Sequence, residues 1–599
     1  MLTETRPAPF LGVETSILGR PWRDRLDMKA RALAEAIVQH HGLPDALSRV
    51  LAARGVACED CLDYLAPTIR ALMPDPSSLI GMDAAAERLA HAAQRGETVA
   101  IFGDYDVDGA CSSALLAQFL NACGAPNMIH IPDRIFEGYG PNADAIRALR
   151  QRGASLLVTV DCGVTSHGPL AAAAEVGLDV VVLDHHQAPV DLPPALAIVN
   201  PNRQDDLSGL GHLCAAGVVF MTLVAANRLL RERGFWTAGR PAPDLMGMVD
   251  LVALATVADV VPLKGLNRAF VLRGLDVMRQ RGRPGLRALF DAARASGPPR
   301  AQALGYLIGP RINAGGRIGD AALGARLLLE TDDAEADRIA AELDRLNRER
   351  QEIEAAAVAE AVAEADAAMG RSGETSVIVT AAESWHPGVV GLVAARLKER
   401  FGRPAVAISL GGETGTGSAR SIPGADIGMA VRAAVEAGIL VKGGGHAMAA
   451  GLTVEAARLG DLRAFLEDRL AQGVAAARRE RALLVDAAIT AGGARAELVN
   501  EIERAGPFGS GSPEPVFAFP DHVIAEASIV GGAHVRVRLE SRDRSRLDAI
   551  AFRCAEEPLG KALLGSRGEM LHVAGTLTLD RWGGAEKASL RIVDAARRA

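Results

Sequence analysis

The chain has 599 residues, of which 49% are hydrophobic and 23% charged, with a formal net charge of −8. That length exceeds one core and predicts roughly three or four domains of ordinary soluble composition. Without a membrane-length apolar run or a signal-peptide pattern in MLTETRPAPFLGVETS, a cytoplasmic protein with no membrane association is expected. The seven cysteines, Cys58, Cys61, Cys111, Cys123, Cys162, Cys214 and Cys554, are scattered and outline no disulfide framework. Cys58 and Cys61 form a CxxC, but no second ligand pair stands at zinc-site spacing. The acidic balance counts against a nucleic-acid partner without deciding the matter, because carboxylates gathered at a metal site contribute to it and a local basic groove can coexist with it.

In chain order, residues 1–95 read as mostly helical, with proline-rich joints near 67–76. Short apolar or β-branched runs follow: TVAIF (98–102), MIHI (128–131), SLLVTV (155–160) and DVVVL (179–183). They alternate with helical stretches, a rhythm that predicts a parallel sheet covered by helices. Sites in such sheets lie at the carboxyl ends of the strands, where Asp104, Asp161 and Asp184 stand within a residue or two. Residues 331–369 hold neither Gly nor Pro, and Ile339, Leu343 and Leu346 recur at helical spacing. A helix of that length spans about 55–60 Å and reads as a strut between domains. A second α/β pattern begins just after it with SVIVT (376–380) and carries two glycine-rich stretches, 415–424 and 442–451, expected as loops. From about 484 the chain turns strand-like, with several short strands that suggest a small barrel.

Asp104, Asp106 and Asp108 alternate directly after a strand, in GDYDVDG. No Glu follows at the twelfth position of a calcium loop, so a Mg²⁺- or Mn²⁺-type cation suits these oxygens better. Asp184 leads two adjacent histidines, His185 and His186, at another strand end. Imidazole is the ligand that favours Mn²⁺ over Mg²⁺ alone. Asp259 closes an apolar helix, a costly place for a carboxylate that is neither paired nor metal-bound. Five carboxylates and a histidine exceed the needs of one ion, and fit two ions about 3.5–4 Å apart.

The order DYDVDG, VDCG, LDHH, TVADV resembles the four motifs of the DHH phosphoesterase superfamily. Further segments, GPRINAGGR (309–317), HPGVVG (386–391), GSARS (417–421), GGHAMAAG (444–451) and PFGSGSPEPVF (507–517), resemble its RecJ-like branch. Ser512 departs from the usual GNPEP of that branch. The resemblance covers about residues 80–599. It implies an α/β fold in three parts, with a parallel-sheet DHH domain, a smaller DHHA1 domain and a C-terminal OB-like β-barrel. The expected boundaries are 1–330 for the N-terminal helical segment and DHH domain, 331–370 for the connecting helix, 371–480 for DHHA1 and 481–599 for the OB-like domain.

The resemblance also implies a function: degradation of single-stranded DNA, 5′ to 3′, releasing mononucleotides in DNA repair and recombination. Two divalent ions, Mn²⁺ or Mg²⁺, would be held by Asp104, Asp106, Asp108, Asp161, His185 and Asp259. His186 would contact the scissile phosphate, with Asp184 orienting the histidine pair and Asp161 bridging the ions. Arg134, Arg311, Arg317, Ser418 and Arg420, in loops near strand ends or glycine-rich turns, match residues that bind the 5′ phosphate. His446 would meet the substrate backbone. In the last domain Arg536 and Arg538, with Arg542, Arg544 and Arg546, suggest a basic single-strand track, and Trp582 a base to stack on. A monomer is expected, with a helicase and a single-strand-binding protein as further partners. The rival readings are a DHH phosphodiesterase acting on short oligonucleotides, cyclic dinucleotides or pyrophosphate, which would not need the extra domain, and an inactive scaffold, which would not need every ligand position to be Asp or His.

Overall fold

The strands of the first half are short, wholly buried apolar runs, and such runs favour parallel sheets covered on both faces. In the structure, a computed structural model describing residues 8–133, 137, 138, 140–372, 375–479, 481–580 and 586–598, they build a five-stranded parallel sheet. Its members are β1 (Val99–Gly103), β2 (Asn127–His130), β3 (Leu156–Val160), β4 (Asp179–Leu183) and β5 (Ala197–Val199), in the order β2-β1-β3-β4-β5. β5 is too short to be read from sequence. Five of the helices bear on the site: α1 (Val107–Cys123), α2 (Ala215–Glu232), α3 (Val249–Ala258), α4 (Pro284–Ala292) and α5 (Gly309–Ile318). α1 is buried along almost its whole length, so its sequence shows no amphipathic stripe.

α6 (Asp333–Ser372), 40 residues long, is the expected strut. Its first half buries Ile339, Leu343 and Leu346 and packs on α4 and α5. Its second half buries Ala357, Ala361 and Ala365 against Trp385, Val390 and Leu397 of the next sheet layer. Between them Asn347, Arg350 and Glu354 are buried yet satisfied: Arg350 pairs with Glu354, and its Nη2 donates to Asn347 Oδ1 at 2.7 Å. Beyond α6 come β6 (Ile378–Ala382), α7 (Val390–Phe401), β7 (Ala405–Gly411), β8 (Thr414–Arg420), α8 (Ile427–Glu436), β9 (Lys442–His446) and β10 (Ala449–Glu455). The sheet order is β9-β10-β8-β7-β6.

Both glycine-rich stretches are therefore largely strand, not loop. Gly417 explains why: a Cβ there would lie 2.7 Å from Leu452 Cδ1 and 2.9 Å from Ile408 Cγ1, so glycine makes room for neighbouring branched side chains on the sheet face.

The C-terminal strands β11 (Phe517–Val530), β12 (His534–Glu540), β13 (Arg546–Ala551), β14 (Met570–Asp580) and β15 (Lys587–Arg597) close into a five-stranded barrel through the β11–β14 pairing. The expected grouping of the N-terminal helices with the parallel sheet does not match the way the chain divides. One unit comprises Met1–Met73, Val260–Leu272 and Arg481–Ala599, the other Pro74–Asp259 and Arg273–Glu480. Trp22–Asp24 pairs in parallel with Leu483–Val485, and Ile37, Leu47 and Leu51 share a core with Ala505. Helical periodicity reveals an apolar face but not the distant surface that covers it.

Leu343 is fully buried on α6, whereas Arg345 is half exposed. Leu343→Ala is expected to lose about 2–5 kcal/mol and Arg345→Ala less than about 1 kcal/mol. Denaturant unfolding of the two variants side by side checks the difference.

Candidate metal centre

The acidic residues stand at the ends of strands and helices, and backbone amides hold three of the carboxylates, those of Asp104, Asp106 and Asp108. Asp106 caps α1, accepting from the amides of Asp108 (2.9 Å) and Gly109 (3.1 Å). Gly109 is required there, since a Cβ would fall 2.3 Å from the Asp104 carbonyl oxygen. Asp108 points from the first turn of α1 to the amino end of α2, where Ala215 and Ala216 donate amides to its two oxygens at 2.7 and 2.8 Å. Positive partial charge at a helix start steadies the carboxylate. Asp161 follows β3 in the left-handed region at φ 61°, a strained conformation for aspartate that the surrounding structure must maintain. Asp259 ends α3.

These groups converge in three overlapping triads: Asp104, Asp106 and Asp161; Asp161, His185 and His186; Asp108, His185 and Asp259. His185 Nε2 lies 3.3 Å from Asp161 Oδ1, 3.5 Å from Asp259 Oδ2 and 3.7 Å from Asp108 Oδ2. Asp161 Oδ1 and His185 Nε2 are both buried without a hydrogen-bond partner. Buried polar atoms are almost always satisfied, and these two converge with oxygen donors at the spacing that neighbouring ligands of one small cation adopt. The residues therefore fit a divalent metal.

Electrostatics point the same way. Burial, then the charges of Asp108, Asp106, Asp104 and Asp259, push the Asp161 carboxyl well above its ordinary range. Burial and Asp108 lift Asp259 to about 9, while burial lowers His185, a shift toward the neutral form that ligates metals. Such a cluster needs protons or cations to exist at neutral pH.

Asp184 behaves differently. Its Oδ1 accepts from the amides of His185 (2.7 Å) and His186 (3.1 Å) and lies 2.8 Å from His186 Nδ1, while Oδ2 accepts from Val164 at 3.0 Å. Burial opposes its charge, but these bonds to His186 outweigh that and hold it at about 2. For His186, burial opposes the imidazolium, and the Asp184 bond overcomes it and raises the group to about 9. Asp184 is thus hydrogen-bonded to both histidines and favours the protonated form of His186. Two residues that sequence reading missed help: Asn200 Nδ2 donates to the His186 carbonyl (2.8 Å) and Asn202 Nδ2 to the His185 carbonyl (2.5 Å). The asparagines of IVNPN, just past β5, were the available signal.

The basic candidates lie on regular elements instead of the expected loops. Arg311 and Arg317 are on α5, and Ser418 and Arg420 are on β8. α5 reaches the acidic loop through Asn313 Oδ1, which accepts from the Val107 amide at 3.1 Å. Arg317 Nη1 donates to the Gly388 carbonyl at 3.0 Å. A Cβ on Gly391 would lie 3.2 Å from both Arg420 Nη2 and Ser418 Oγ, so this glycine lets both approach the start of α7. Arg311 is engaged by Asp344 of α6 (2.9–3.0 Å). His446 is exposed at the end of β9 and belongs to none of the triads. Arg134 and Trp582 lie outside the described residues.

Three of the five barrel arginines expected to form a basic strip face acids. Arg538 pairs with Glu526 and Asp548, Arg542 with Asp521 and Arg546 with Glu540. Cross-strand pairing brought acids to them that linear sequence does not reveal.

Family models match in the order of the domains: the DHH family, N-terminal domain, over residues 98–256, the DHHA1 domain over 374–472 and the RecJ OB domain over 485–594. The chain is 36% identical over 524 residues to the single-stranded-DNA-specific exonuclease RecJ of Salmonella typhimurium, covering 85% of this chain and 89% of that one. The chain belongs to the RecJ family. The RecJ structure from Thermus thermophilus in complex with Mn²⁺ superposes with a TM-score of 0.77 at 30% identity, over 94% of this chain and 78% of that one. The Mg²⁺ complex of the same RecJ gives 0.71 at 28%, over 94% and 77%.

Replacing Asp184 by Asn should release the histidine pair. In the metal-free protein the His186 pKa is expected to fall from about 9 to its ordinary value near 6.5 or below. Because the raised value stabilises the fold below pH 6.5 and fades as pH rises through 9, the wild type should lose more stability across that window than the variant. NMR titration of the imidazole protons and urea unfolding at the two ends of the window check this.

Proposed function

We propose that this RecJ-family chain is a divalent-metal-dependent exonuclease that degrades single-stranded DNA from the 5′ end and releases mononucleotides. The observation that carries the reading is the set of overlapping triads with Asp161 shared between two of them, the arrangement expected of a carboxylate that bridges two ions. Asp104, Asp106 and Asp161 would hold one, and Asp161 again, with Asp108, His185 and Asp259, the other, since Asp161 Oδ1 lies 3.3 Å from His185 Nε2 and those two atoms are the donors left open. When bound, Mn²⁺ or Mg²⁺ supplies the Lewis acidity that activates a water and stabilises the departing oxygen of a phosphodiester.

The remaining roles belong to side chains. His186 carries a proton on the ring held by Asp184, and as a cation it suits a non-bridging oxygen of the scissile phosphate or the leaving oxygen. Arg317, Ser418 and Arg420, gathered around the start of α7, suit the dianion of a terminal 5′ phosphate, which a guanidinium fork and helix amides bind together. This supports the polarity. Arg311 would share its fork between that phosphate and Asp344. A rival activity confined to dinucleotides is less well supported, since the chain carries a RecJ OB domain over residues 485–594. A helicase and a single-strand-binding protein are partners such an enzyme would use, because its substrate must first be freed from duplex. None of the described helices is long and apolar enough to cross a membrane.

A long oligonucleotide labelled at its 5′ end, incubated with Mn²⁺ or Mg²⁺, should yield labelled mononucleotide as the first product. Blunt duplex should survive. Asp161→Asn should reduce the rate by at least about 10³-fold, since it removes a shared ligand from two-ion chemistry. Internal fragments, label retained until late, or more than a tenth of the rate in the variant would each contradict the assignment.

A further inference from the structure

The two helices that end in metal ligands are clamped together at their other ends. α1 carries Asp108 in its first turn and Gln118 about 15 Å further along. α3 carries Asp250 in its first turn and finishes against Asp259. Arg283, at the start of α4, binds both: its Nε and Nη2 donate to the two oxygens of Asp250 at 2.7 and 3.0 Å, and its Nη1 and Nη2 face Gln118 Oε1 at 3.5 and 3.4 Å. Nη1 also donates to the Leu328 carbonyl at 3.0 Å. The pair is almost entirely buried, the side chains of Arg283 and Asp250 being 10% and 3% exposed.

A cavity of about 620 Å³ opens onto this clamp, within the size range of small-ligand sites. Its lining has two characters. Phe290, Leu286, Pro298 and Pro299 make an apolar wall, and Arg279, Arg281, Arg283 and Arg287 supply four positive charges against Asp250 and Glu330. The carboxylates paired with three of those arginines, Asp276, Asp291 and Asp333, are not among the lining residues. These partly exposed pairs are weak and exchangeable, so an anion inside the cavity can compete for the guanidinium groups.

We propose that this cavity is a regulatory site for a nucleoside monophosphate, the phosphate meeting Arg281 and Arg287 and the base lying against Phe290 and the prolines. Occupancy would act on the metal centre by shifting Arg283 and with it the relative setting of α1 and α3. The proposal rests on the function proposed above for the metal centre and for the ligand class, which is that of the reaction product, but its test reads binding and not hydrolysis.

Calorimetric titration with dAMP in EDTA of the full chain carrying Arg317→Ala and Arg420→Ala, which disables the 5′-phosphate pocket proposed above, should show one saturable site. Arg281→Ala combined with Arg287→Ala in that background, with an unchanged circular dichroism spectrum, should weaken it by at least about tenfold, ~1.4 kcal/mol. Deoxyadenosine and inorganic phosphate, each with half of the recognition, should bind more weakly than dAMP by a similar factor. Saturating dAMP should then change Mn²⁺ affinity in that background by about fivefold and leave the double variant unaffected. Absence of a saturable site, equal binding by the double variant, phosphate binding as tight as dAMP, or Mn²⁺ affinity indifferent to dAMP would each overturn the proposal.

Discussion

Five aspartates of the site must be brought to one end of a parallel sheet against their own repulsion, and most of the surrounding architecture follows from that demand. Their charges are held apart from collapse by backbone groups: amides at the start of α2 take Asp108, amides at the start of α1 take Asp106, and Asp161 keeps a left-handed backbone at φ 61°. Within the acidic cluster, the buried atoms left without a hydrogen-bond partner are Asp161 Oδ1 and His185 Nε2. The upward shifts of Asp161 and Asp259 express the same unmet demand, which divalent cations satisfy and protons satisfy less well.

Around this centre the chain separates tasks. Asp184 sits within the same strand-end cluster but commits its oxygens to the amides of Val164, His185 and His186 and to the His186 ring, which favours the protonated imidazole. α5 links the acidic loop to the 386–391 turn through Asn313 and Arg317, and α6 spans both sheets with one long packed face.

Much of this was legible in the sequence because the signals were local. The strands of the first sheet are continuous apolar runs, and the acids stand one or two residues beyond them. The length of α6 was visible because nothing in 331–369 breaks a helix. Features that depended on distant partners were not legible. Trp22 and Ile37 looked like parts of the first domain, but they pack with residues near 483 and 505. Gly415, Gly417, Gly443 and Gly445 read as loop residues, though their lack of a Cβ serves close packing within strands. The barrel arginines read as a basic track because Glu526, Asp548, Asp521 and Glu540 are their neighbours only once strands pair. Asn200 and Asn202 went unread because a side chain that holds a neighbouring carbonyl has no spacing rule of its own.

The account stands on Asp161 serving two ions at once. The most direct test is electron paramagnetic resonance of the protein titrated with Mn²⁺, alongside Asp161→Asn. The account predicts two Mn²⁺ per chain with exchange-coupled spectra, and loss of that coupling in the variant. A single uncoupled Mn²⁺ at saturation, or coupling that persists without the Asp161 carboxylate, would contradict it.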